Sequence, residues 1–112
     1  MKFWAIIAIF LALVALNLPA AAQTKYTING DSWLGFVNKE DFDAVTGYAV
    51  DGDTEAFKNA VATGVMMGTI IMFNDGETVY LEDAPFLSGE VQLRRQGETQ
   101  KYWTNSEAIY KK

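Results

Sequence analysis

The sequence predicts an α+β domain in which a helical hairpin packs on a small antiparallel barrel of four to five strands. Three observations predict it. Apolar residues recur at helical spacing up to about Gly68 and at strand spacing after it. The later apolar runs are short, β-branched and aromatic, and glycine-bearing turns separate them. The chain has no cysteine, so an apolar core alone must hold the fold. Helices followed by strands argue for α+β rather than for alternating βα units.

The N-terminus reads "MKFWAIIAIFLALVALNLPAAAQ". Lys2 gives a positive start, Phe3 to Leu16 carry no charge, and Ala20 and Ala22 form the small-x-small pattern that signal peptidase accepts. The apolar run is shorter than the roughly 20 residues a membrane helix needs. Residues 1–22 therefore read as a signal peptide, the alternative being an uncleaved anchor, and cleavage after Ala22 leaves 23–112 as a single domain. The protein is expected to be exported, to the periplasm or the extracellular space, without stable membrane anchoring. A domain of this size buries roughly 60–65% of its unfolded surface, so its stability should be modest.

Within the domain, residues 38–64 read as the helical hairpin. Asn38 stands as N-cap before Glu40 and Asp41, which favour the positive end of the helix dipole. Phe42, Val45 and Ala49 then share one face, with Val50 at its margin, and Gly52 ends the helix. Asp53 caps the second helix, Phe57, Ala60 and Val61 form its face, and Gly64 stops it. The stretch "YAVDGDTEAFKNAVATG" resembles one ankyrin unit, but it occurs once, and such arrays need about three stacked units to bury a core.

Residues 69–110 supply the strands "GTIIMF", "ETVYLED", "GEVQLRR" and "TQKYWT", separated by "NDG", "APFLSG" and "QGE". With the "NSEAI" turn and the bent loop through Pro85, this segment resembles a bacterial SH3-like barrel. The closing strand is then either missing, leaving the barrel partly open, or supplied by residues 24–36. The whole chain is also similar to small exported bacterial proteins with a C-terminal "YWT..EA" signature, a resemblance that brings no activity with it.

A two-residue Gln96-Gly97 turn would pair Arg95 with Glu98, Leu93 with Gln100 and Val91 with Tyr102. A three-residue turn would set Lys101 beside the core leucine Leu93, so the first register is preferred. It places Tyr102 in the core and Trp103 on the opposite face, either exposed for a ligand or covered by the helical hairpin. Arg94 points to solvent on the Trp103 face, near Glu90.

The chemistry is narrowed by what is missing. Without histidine or cysteine, the usual zinc, haem and iron–sulfur ligands and the His-based nucleophiles are lost, and no phosphate loop or serine elbow occurs. Asp51, Asp53 and Glu55 alternate as at the start of an EF-hand loop, but Ala56 and Ala62 stand where that loop needs Gly and Glu. No cofactor is expected. With 9 basic against 14 acidic residues the net charge is −5, which argues against nucleic acid and anionic lipid as partners.

The expectation is thus a non-catalytic binding module for a protein, peptide or cell-wall component, using an aromatic face of the barrel with Trp33, Phe86, Arg94 and Trp103. The alternatives are an acidic inhibitor or protective protein for an envelope enzyme, using Glu82 and Asp83, and a carboxylate-based hydrolase.

Overall fold

The computed structural model describes residues 23–85 and 88–110, so the expected leader, residues 1–22, lies outside the described residues. Six strands form one antiparallel sheet: β1 (Lys25–Thr27), β2 (Leu34–Phe36), β3 (Ile70–Met72), β4 (Thr78–Asp83), β5 (Glu90–Arg95) and β6 (Lys101–Asn105). Helices α1 (Lys39–Asp51) and α2 (Thr54–Met67) lie between β2 and β3, and a 3-10 turn (Ser106–Ala108) follows β6. The strand order is β1-β4-β5-β6-β2-β3. Among the described residues no helix is long and apolar enough to cross a membrane.

The domain is α+β, but the SH3-like barrel of four to five strands is overturned. The sheet is open and six-stranded, and the helical hairpin follows β1 and β2 instead of leading the fold. Both early strands have only three residues, KYT and LGF, too short for two-residue alternation to show. Residues from 24–36 enter the sheet at two separate places, β1 beside β4 and β2 beside β6, and neither closes it.

Alternation along the strands divides the core in two. One face buries Ile28, Phe73, Val79, Val91, Leu93 and Tyr102, with Ala108 and Ile109 completing the cluster. On the other face Phe36 and Ile70 lie against Phe42 and Val45 of α1, and Phe57, Ala60, Val61 and Trp103 border them. Val50 is 80% exposed and takes no part.

The β5–β6 register differs from the expected one by two residues: Leu93 pairs with Tyr102, Gln92 with Trp103 and Arg94 with Lys101. Gln96 and Gly97 do occupy a turn, with Gly97 at φ 85° and Glu98 N–H donating to Arg95 O at 3.1 Å. The ladder to β6 nevertheless stops at Arg94, and Arg95 continues only the ladder to β4. It pairs with Val79, Gln96 N–H donates to Thr78 O, and the Arg95 guanidinium binds Glu77 and Met72 O. An even offset preserves faces, so Tyr102 and Trp103 still point to opposite sides.

Gly64 does not stop α2. The helix runs on to Met67, where Gly68 caps it at φ 78°. Gly64 is instead a point of close approach: a Cβ built there would lie 2.3 Å from Ile70 Cδ1. Gly64→Ala gains up to about 1 kcal/mol of helix propensity and meets an overpacking cost of about 1–3 kcal/mol. The substitution should therefore lower the urea midpoint; a higher midpoint would refute the close packing of Ile70 on α2.

Candidate docking groove

Of the residues expected to form one aromatic face, Trp33 is not brought together with Arg94 and Trp103. Trp33 packs on the Tyr102 side of the sheet and donates its indole N–H to Asn29 O at 2.8 Å. Its outer edge borders a small cleft of about 210 Å³ with Phe42, Ala49 and Phe57. Trp103 lies on the opposite face, half-buried at the edge of the cluster beneath the helices. Lys39 Nζ sits 5.9 Å from its ring centroid and 3.3 Å from Glu90 Oε1, tying the start of α1 to β5. Hydrogen bonds to Asp43 and then Glu90 hold the Lys39 ammonium above its ordinary value. Phe86 lies outside the described residues.

Arg94 is on the Trp103 face, yet it is fully engaged. Its Nε donates to Glu82 Oε2 at 3.1 Å, Nη2 to Gln23 Oε1 at 2.9 Å and Nη1 to Glu98 O at 3.0 Å. The guanidinium also lies 4.7 Å from the Tyr80 ring centroid. Glu90, its expected neighbour, pairs with Lys39 instead. Glu82 is a β-bulge carboxylate with a side chain only 10% exposed, and Lys101 approaches it at 3.5 Å. Burial would raise its carboxyl, but hydrogen bonds from Gln23 and Arg94, with the Lys101 charge, outweigh that and hold it below its ordinary value. Neither Arg94 nor Glu82 is therefore free to meet a ligand; of the acids expected for an inhibitor, Asp83 alone stands exposed.

A concave surface lies elsewhere, between the two helices. A groove of about 630 Å³ runs between Asp41, Ala44, Val45 and Tyr48 of α1 and Ala56, Ala60, Thr63, Gly64 and Met67 of α2, with Ile70 at its floor. Its cause is composition. Each set repeats at three- and four-residue steps, so each is one stripe on its helix. The α2 stripe sets Ala56, Ala60 and Gly64 among Asn59, Thr63 and Met67, and the three small residues are too short to fill the space to α1. Close approach of Ile70 at Gly64 holds α2 against the sheet edge, while the stripe beside it stays uncovered. Met67, the last lining residue of α2, is 72% exposed.

Sequence reading missed this groove because it treated Ala60 and Gly64 as a core position and a helix stop. The available signal was the recurrence Ala56, Ala60, Gly64 at four-residue steps, running into "VMMG". Comparison of the chain with protein-family models, with curated proteins and with solved structures finds no match.

Arg94→Ala should cost about 1–2 kcal/mol in urea denaturation, because the Glu82 carboxylate then keeps only Gln23 and Lys101 as partners. The Glu82 contribution has a definite pH sense. Its folded-state value is depressed, so the contribution is complete at neutral pH and is lost as pH falls through the ordinary carboxylate range to the folded value. The stability gap between the protein and its Glu82→Gln variant should accordingly narrow on acidification; a gap that widens in acid contradicts the assignment.

Proposed function

We propose that the protein is an exported, non-catalytic binding module that recognises a protein or peptide partner through the groove between α1 and α2. The observation that carries this reading is the conjunction of a concave, mainly apolar groove with an exposed methionine, Met67, in its lining. Monomeric proteins seldom leave contiguous apolar surface of this kind in water without a use for it, and methionine adapts its shape to what it meets. Grooves between helices are also a recurring seat for an amphipathic helix. Export rests on the leader-like residues 1–22, and the absence of catalysis on the missing histidine, cysteine and motifs.

Position-specific photo-crosslinking in an envelope extract tests the reading. A crosslinker at Ala44, exposed and bordering the groove, should give a discrete adduct, and one at Lys58, exposed and outside the lining, should not. Equal yields at both positions, or none at Ala44, would sink the proposal.

A further inference from the structure

We infer that the occupant of this groove is a cationic amphipathic helix of a partner protein, an inference that rests on the docking reading above. The charges around the groove carry it. Asp41 lines the groove itself. Glu40 stands four residues before the lining Ala44, Asp51 three after the lining Tyr48, and Glu55 four before the lining Asn59. Helical periodicity therefore sets all three beside the lining, and all three are exposed. None of them forms an ion pair among the described residues.

The hairpin has only two lysines to offset them, and neither serves the rim. Lys39 is held by Asp43 and by Glu90 on the sheet side. Lys58 falls about half a turn away from the lining Met67 on the α2 wheel, on the far side of the helix. The groove thus presents an apolar floor between acidic shoulders, and its complement is a helix with a narrow apolar stripe flanked by Lys or Arg.

Narrowness follows from the floor. Ala56 and Ala60 along α2 let a partner backbone approach closely, and the exposed Met67 folds over whatever side chain reaches its end of the groove. A second copy of this chain does not fit. Its net charge of −5 and its own acidic shoulders would meet like charge. An anionic membrane surface is opposed by the same shoulders.

Three synthetic amphipathic helices with one shared apolar stripe, and Lys, Gln or Glu on the polar face, provide the test. Their affinity for the protein of residues 23–112 is read by fluorescence anisotropy at two salt concentrations. The Lys peptide should bind about ten-fold tighter than the Gln peptide, as three modest, screened contacts allow, and the Glu peptide weakest. Higher salt should remove most of the difference. The triple variant E40Q/D51N/E55Q should bring the Lys peptide to the level of the Gln peptide and leave the Gln peptide unchanged.

Equal binding of Lys and Gln peptides overturns the charge inference and leaves the groove standing. Failure of every peptide to bind, or binding unaffected by Ala44→Arg, overturns the groove reading as well. Preference for phosphatidylglycerol vesicles over the Lys peptide, or a dimer in sedimentation that Ala44→Arg dissociates, assigns a different occupant and also overturns it.

Discussion

The contact on which this fold depends is the seating of the helical hairpin over Phe36, Ile70 and Trp103. Strands β2, β3 and β6 carry apolar groups on that face as well as on the face beneath Tyr102. A sheet with two apolar faces is not stable in water on its own, and this chain has no disulfide to compensate. The hairpin supplies the second layer, and its place in the chain, between β2 and β3, puts it directly above the strands that need cover. Ile70 against Gly64 sets how closely α2 can lie on the sheet, and Lys39 bridging to Glu90 fixes the start of α1. One strand half of the same face is left without helices, around Tyr80, Gln92 and Arg94, and there the side chains are polar or amphipathic.

That division explains the adjacent arginines. Successive residues of a strand point to opposite faces, so Arg94 and Arg95 never formed one basic patch. Arg94 binds the bulged Glu82, Gln23 and the Tyr80 ring on the uncovered half of one face. Arg95 turns to the other side, where it grips Glu77, Met72 O and the Phe73 ring, linking the end of β5 to the segment between β3 and β4. Both are internal fastenings between segments distant in sequence. In an acidic protein they look like scarce recognition groups, but scarcity of cations equally means that each finds a carboxylate waiting.

Much of this was legible in the residues, and what was not has identifiable causes. The apolar periodicity of Phe42, Val45 and Phe57 and the caps at Gly52 and Asp53 are local signals, and the α+β class follows from them. The places of β1 and β2 depend on partners distant in sequence, β4 for β1 and β3 and β6 for β2, and three residues hold too little alternation to announce a strand. The turn at Gln96-Gly97 was readable. Its register was not, because the turn residues do not fix how many residues loop out between Arg94 and Lys101. Trp33, Arg94 and Trp103 were chosen as residue types that binding sites favour, but each has a structural post: a hydrogen bond to Asn29, a carboxylate, a place under the hairpin. The groove was invisible for the opposite reason, since alanine and glycine carry no chemistry and signal only by what they fail to fill.

The small residues of the α2 stripe have an energetic consequence that bears on the proposed docking. Larger side chains there would bury more area between the helices, at about 25 cal/mol for each Å² of apolar surface, in a domain whose size leaves little stability to spare. Leaving the space open forgoes that stabilisation in the free protein and returns it when a ligand fills the groove. Any partner that binds only the folded state raises stability by RT ln(1 + [L]/Kd), about 2.7 kcal/mol at a hundred-fold excess over Kd. The acidic shoulders act in the unbound state as well. An exposed apolar groove is an invitation to self-association, and like charges around it oppose the pairing of two such grooves while, on the proposed docking, a cationic helix would be free to enter. On the docking proposed above, the same carboxylates would serve solubility before binding and selectivity during it.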